Sequence, residues 1–278
     1  MSFQTLFKKP FFGRFQKPWR WPEGIDRAAW SPARFDSGRR GTLAGLYGEA
    51  LGGPAKGSIV CVPPLRLDSK SFYLKTGLAQ MLRMHGYHVL LMDLNGFGES
   101  EDIDLRYPLD VLAAGRALRE LTPGLPMGLL GISFGATWAT CALAVPGHGF
   151  EAAVLESGFT TLEEYWHQYP AANVTLKVLK ALRPRLISDL QSIDQMSKVR
   201  ELQEVLLIYA GKDNMSPPSM GERFRAACPL PEERRTLWVV PEAEHAKVWQ
   251  TVPDEYRQRV LGVFDRQLAA KAMPKKSA

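Results

Sequence analysis

Cysteine is scarce in this chain of 278 residues. Cys61, Cys141 and Cys228 are all there are, an odd number without metal-ligand spacing. That argues against a disulfide framework and against a thiolate-bound metal; two sit in apolar surroundings and read as buried thiols of a reducing compartment. No apolar stretch approaches the roughly 20 residues that cross a bilayer. The basic start lacks the uninterrupted apolar segment of a secretory leader. No internal repeat is apparent. These absences predict a soluble, cytoplasmic protein of one domain, long enough to bury a large core.

Charge on the body is also nearly balanced. The net charge is +6, but residues 1–20 hold five cations and no acid, and residues 271–278 hold three more, so the remainder is at −2. A nucleic-acid-binding fold more often shows a basic stripe on its body, so no nucleic-acid partner is expected. The basic N-terminal stretch is interleaved with Phe3, Phe7, Phe11, Phe12, Phe15, Trp19 and Trp21. That composition is open to three readings: packing on the body, peripheral contact with an anionic bilayer through residues 1–20, or contact with a partner or second copy. Monomer and homodimer are equally compatible with the sequence.

Against this background stands Gly131-Ile132-Ser133-Phe134-Gly135. It follows the apolar run Met127–Leu130, which reads as a buried strand, and precedes a helix-like stretch that runs to Val145. A G-x-S-x-G sequence between strand and helix presents the serine hydroxyl on a sharp turn. The glycines keep bulk away from that turn. Ser133 is therefore the candidate nucleophile.

The chain has five histidines. His85 and His88 flank the entrance to an apolar strand, on the side away from the serine; His148 lies in a Pro-Gly-His-Gly turn; His167 lies in a Trp/Tyr-rich segment. His245 follows the strand-like Thr236–Val240 and a short turn, where a loop base belongs. Val205–Ala210 is a continuous apolar run, as a sheet covered on both faces needs, and it leads into Gly211-Lys212-Asp213. Asp213 would fix the imidazole tautomer and stabilise the imidazolium. Glu156, just past the strand ending Val154-Leu155, is the reserve acid. The chain order Ser133, Asp213, His245 is that of α/β-hydrolases.

Strands are expected at 28–35 and 42–47 (an opening antiparallel pair), 57–62, 89–92, 127–130, 152–155, 205–210 and 236–240. Helices are expected at 71–84, 109–121, 134–145, 218–227 and 253–270. Such alternation implies a doubly wound, mostly parallel eight-stranded sheet of the α/β class. Residues 1–27 read as an N-terminal extension and 28–270 as the domain. Residues 158–203 read as a helical cap insertion broken at Pro170 and Pro184, and 271–278 as a basic tail.

The pattern resembles the α/β-hydrolase superfamily, and within it the serine-aminopeptidase-like esterases and lipases. Besides the serine motif, Asp93-Leu94-Asn95-Gly96-Phe97-Gly98-Glu99-Ser100 is similar to the family's D-x-x-G-x-G-x-S loop. Glu156–Thr160 resembles the opening of its cap, and Gly211-Lys212-Asp213 and Glu244-His245 resemble its acid and base turns. The resemblance implies a serine hydrolase without metal or organic cofactor, acting on esters, thioesters, lipids or peptides. One departure stands out: where the family has His-Gly after the third strand, this chain has Pro63-Pro64-Leu65-Arg66. Neither proline has an N–H. Leu65 and Phe134 are then the expected backbone donors of an oxyanion hole. Leu65, Phe97, Phe159, Trp166 and Trp249 are expected to line the substrate pocket, and an apolar carboxylic ester is the favoured substrate. An aminopeptidase, a thioesterase, an acyltransferase or a catalytically weak binding protein on the same scaffold are the alternatives.

Overall fold

The computed structural model of the protein describes residues 8, 11–66, 69–167 and 169–272. Phe3, Phe7 and Lys9 of the N-terminal stretch, and Lys275 and Lys276 of the C-terminal one, lie outside the described residues.

Eight strands form one sheet in the order β1-β2-β4-β3-β5-β6-β7-β8. They are β1 (Ser31–Asp36), β2 (Thr42–Gly48), β3 (Gly57–Val62), β4 (Tyr87–Met92), β5 (Met127–Ile132), β6 (Ala152–Glu156), β7 (Glu204–Ala210) and β8 (Arg235–Val240). β2 is antiparallel to both β1 and β4; from β4 through β3 to β8 every pairing is parallel. The fully buried strands β3, β5, β6 and β7 are the continuous apolar runs, as expected for strands covered on both faces.

Alternate strand residues feed two cores, because successive side chains point to opposite faces. Val60, Val62, Leu90 and Leu207 face the helices α3 (Tyr107–Leu121) and α4 (Phe134–Leu143). Ile59, Cys61, Leu91 and Ile208 face α1 (Ser71–Lys75), α2 (Leu78–Met84) and α11 (Pro253–Phe264). All three cysteines are buried and free.

Four helices differ in their bounds from the sequence expectation: α3 starts at Tyr107 rather than 109, α4 ends at Leu143 rather than 145, and two others differ more. The single helix over 71–84 is two, because Gly77 adopts a left-handed φ of 74° between them. The last helix keeps α geometry only to Phe264 and continues as a π turn over Asp265–Ala269.

Between β6 and β7 lie α5 (Leu162–Trp166), α6 (Pro170–Leu182), α7 (Pro184–Asp189) and α8 (Ser192–Met196). Pro170 and Pro184 open their helices, at a position where the missing N–H costs nothing. After β7 come α9 (Pro218–Ala227), then β8, then α10 (Val248–Thr251).

The Asp93–Ser100 loop is closed on itself. Asp93 accepts from the Glu99 N–H at 3.0 Å, and Ser100 Oγ donates to the Asp93 carbonyl at 2.9 Å. A Cβ on Gly98 would lie 2.3 Å from the Asp93 carboxyl, so glycine is required there.

Candidate active site

Ser133 stands between β5 and α4 with φ 54° and ψ −117°. This is strained backbone for a residue with a Cβ. Its surroundings enforce it. The Ser133 N–H donates to the Glu156 carbonyl at 2.7 Å, and its carbonyl accepts from the Thr137 N–H at 3.1 Å. A Cβ on Gly131 would sit 2.8 Å from Ala136 Cα, and one on Gly135 2.1 Å from the Val62 carbonyl oxygen. Both flanking glycines are thus required by close backbone approach.

Because β5, β7 and β8 run parallel, the segments after them emerge at one sheet edge. Ser133 Oγ lies 2.7 Å from His245 Nε2, and His245 Nδ1 lies 2.6 Å from Asp213 Oδ2. Asp213 Oδ1 accepts the N–H groups of Met215 and Ser216, each at 2.8 Å. The acid is buried and the His245 side chain 23% exposed. A carboxylate can only accept, so Nδ1 must donate to it; the neutral imidazole then leaves Nε2 as acceptor for the serine hydroxyl. The acid turn is clamped to the base loop by Gly211 N–H to the Val240 carbonyl (2.8 Å) and Lys212 N–H to the Ala243 carbonyl (2.9 Å). Ala246, next to the base, has φ 54°.

Glu156, the reserve acid, does not join this chain of bonds. It is fully buried at the end of β6, where its carboxyl accepts from Tyr256 Oη at 2.9 Å and from the Val248 N–H at 3.3 Å. Burial pushes it up to about 7, against the lowering effect of those two hydrogen bonds. The other four histidines are bonded locally. His88 Nδ1 meets Tyr47 Oη, His148 Nδ1 accepts from the Phe150 N–H, and the Nδ1 atoms of His85 and His167 face the carbonyls of Met81 and Glu164.

A cavity of about 360 Å3 opens over Ser133 and His245. Leu65, Trp166 and Trp249 line it. Phe97 and Phe159 do not, and here the expectation is corrected. Phe97 is 5% exposed, with its ring 5.7 Å from that of Phe12; Phe159 is fully buried, stacked 4.2 Å from Tyr165. Both follow strand ends but turn into the core beneath the site, where aromatic area is best buried. Tyr165, Tyr169 and Phe15 take their place in the lining. The tyrosines flank Trp166 one residue before and three after, a spacing that could have been read as one helical face.

Phe134 is buried, its ring 5.5 Å from Tyr107 and 5.1 Å from Trp138. As the first residue of α4 its N–H has no partner within the helix. Leu65 follows Pro63-Pro64 at the rim of the same cavity.

The described part of the N-terminal stretch packs on the body: Phe11 and Phe12 are in the core, and Trp19 Nε1 donates to Ser71 Oγ at 2.6 Å. Among the described residues no group of three or more His, Cys, Asp or Glu is arranged to hold a metal, and no helix is long and apolar enough to cross a membrane.

The family model for serine aminopeptidase, S33, matches residues 55–205. Solved structures with the same fold include an esterase of Pyrococcus furiosus, 18% identical over 91% of this chain and 98% of that one, with a TM-score of 0.69. Another is an acylaminoacyl peptidase of Pyrococcus horikoshii, 19% identical over 90% of this chain and 44% of that one (TM-score 0.63). A third is an α/β hydrolase from a Penicillium species, 16% identical over 86% of this chain and 99% of that one (TM-score 0.64). At these identities the likeness is one of fold. No curated protein matches the chain at a significant level.

Proposed function

Since the chain belongs to the serine aminopeptidase S33 family of the α/β-hydrolase superfamily, we propose that it is a serine hydrolase that cleaves a carboxylic ester with an apolar part. The observation that carries this reading is the hydrogen-bonded series Ser133–His245–Asp213 at the floor of an aromatic cavity. Ser133 Oγ attacks the ester carbonyl carbon as its proton passes to His245 Nε2. The Leu65 and Phe134 amides receive the oxyanion. The tetrahedral adduct collapses; the C–O bond to the alcohol breaks, and Nε2 returns the proton to the departing oxygen. Water then gives its proton to Nε2 and attacks the acyl-enzyme, and Ser133 leaves as the hydroxyl.

The cavity lining favours an ester over a peptide with a free amino terminus. Among the described residues no carboxylate lines it, so none is there to pair with an α-ammonium group. Leu65, Trp166 and Trp249 supply the apolar wall. In this reading the helices of 158–203 form a cap whose Trp166 shapes the pocket, and the protein works in the cytoplasm, as a monomer or homodimer.

A fluorophosphonate probe should label the wild type and not Ser133→Ala. A panel of p-nitrophenyl esters set beside aminoacyl arylamides should show faster ester turnover. Faster arylamide turnover would reverse the substrate class, and failure to label folded protein would remove the serine mechanism.

A further inference from the structure

Lys8, Phe11 and Phe12 of the N-terminal stretch enter the interior beside Ser133, although the stretch has the composition of a surface extension. Lys8 is fully buried. Its Nζ donates to Asn95 Oδ1 and Asp102 Oδ1 and lies 5.2 Å above the Tyr107 ring. Both acceptors belong to the loop after β4 and the segment beyond it. A buried ammonium held by a carboxylate and an amide oxygen is costly to pull out, so this contact fixes the register of the next turn of chain.

In that turn Phe11 and Phe12 are 6% and 3% exposed. The Phe12 ring stands edge-on to Phe97, Tyr107, Phe134 and Trp166, with centroids 5.4–5.7 Å apart. Phe134 is the residue after the nucleophile. Phe11 stands edge-on to Trp166 at 5.0 Å. Together they fill an apolar groove whose other walls include Leu105, Leu162, Leu176 and Leu190. What remains is a cavity of about 30 Å3, room for a water or two and not for an alkyl chain.

Trp166 lines both that filled groove and the cavity over Ser133. The next residues, Arg14 and Phe15, line the catalytic cavity itself. The Arg14 guanidinium lies 5.2 Å over the Tyr169 ring, which ties this wall to α5 and α6. A groove of leucines and aromatics next to an acyl-transfer site is where a long acyl chain would otherwise lie. Here the protein's own phenylalanines occupy it.

We propose that Phe11 and Phe12 are specificity-determining residues: they close the apolar end of the substrate pocket behind Trp166 and restrict the ester to short chains. The proposal rests on the ester-hydrolase reading above. Each methylene that finds an apolar site is worth up to about fourfold in binding. Wild type therefore gains from added methylenes only until the chain reaches Trp166, and longer chains lose.

The test uses the full-length protein and kcat/KM for p-nitrophenyl esters from acetate to laurate. Wild type should peak at butyrate or shorter. Phe11→Ala/Phe12→Ala should shift the peak to hexanoate or longer and raise the octanoate-to-butyrate ratio at least tenfold. Phe12→Leu keeps an apolar side chain in the core and should move the ratio in the same direction by a smaller factor. It serves if the double variant does not fold. A purely structural role for the two rings would lower all esters alike and leave the ratio unchanged; that outcome, in a folded variant, overturns the proposal. So would a wild type that prefers octanoate. Labelling rates with short- and long-chain alkyl fluorophosphonates provide the same ratio without turnover. They separate the two readings, since a protein labelled with unchanged chain preference refutes the plug, and one never labelled refutes the serine hydrolase itself.

Discussion

The Ser133 peptide N–H donates to the carbonyl of Glu156 at 2.7 Å, and the carboxyl of the same Glu156 holds the N–H of Val248, three residues past the base. One buried residue on β6 thus touches both the turn of the nucleophile and the loop of the histidine. Its side chain is neutral or charged depending on pH in a range where most carboxylates are always charged.

Burial raises Glu156 from 4.5 to about 7. A carboxyl raised on folding favours the folded state while it is protonated. That contribution is complete below about pH 4.5 and is lost as pH rises through about 7. Glu156→Gln keeps a neutral acceptor for Tyr256 or Val248 and cannot ionise. Denaturation of the two proteins should give similar stabilities near pH 4.5. At pH 8 the variant should be more stable by about 3 kcal/mol, since each tenfold change in proton affinity is worth about 1.4 kcal/mol. A difference that does not change with pH would show that Glu156 has the same proton occupancy in both states.

Asp213→Asn should fold, because the retained carbonyl oxygen can still accept from Met215 and Ser216. An amide cannot reproduce an acceptor-only partner for Nδ1, so the imidazole is free to take the wrong tautomer. Ester kcat should fall by about 10³–10⁴, with an unchanged melting temperature to within a few degrees.

Leu65→Pro removes a single N–H and should lower kcat by about 10²–10³, with KM little altered. Leu65→Ala retains the N–H and changes only the apolar wall, so its kcat should fall much less. Equal losses in the two variants would take Leu65 out of the oxyanion hole.

Gly135→Ala should damage fold and activity together. The new methyl would stand 2.1 Å from the Val62 carbonyl oxygen, which is backbone of a central strand and cannot move aside cheaply. A loss of about 1–3 kcal/mol is expected from overpacking of this kind, together with loss of fluorophosphonate labelling. Gly158→Ala, whose nearest neighbour would be the Ala136 methyl at 3.3 Å, should be far milder in chemical denaturation.

The parallel strands and the three polar residues that meet at their ends were legible because each signal is local. An apolar run of four residues leads to Gly131, and one of six leads to Gly211. Boundaries set by backbone torsion were less so. The apolar positions Phe72, Leu78, Ala79 and Leu82 continue across Gly77, so periodicity alone reads through the break. Pro108 likewise masked the start of α3 at Tyr107. The sequence points Phe97 and Phe159 to the pocket because loops after strands lead there, but a ring on such a loop can turn either way. Only packing with Phe12 and Tyr165 decides it. The N-terminal aromatics carried no periodic signal, and the partner of Lys8 lies 94 residues away at Asp102.

The sequence separation of 112 from Ser133 to His245 also sets a clock. Ribosomes add about 5–20 residues per second, so a nascent chain holds its nucleophile for roughly 6–22 s before the base has been made. The base then needs β8 laid alongside β7, since its loop hangs from the Val240 end of that pairing. On the proposed serine mechanism, Ser133 is an ordinary, weakly nucleophilic alcohol until the last strand docks. Hydrolysis by that mechanism is withheld from every unfinished or half-folded copy, and the first turnover by a new molecule would report that synthesis and sheet assembly are complete through that strand.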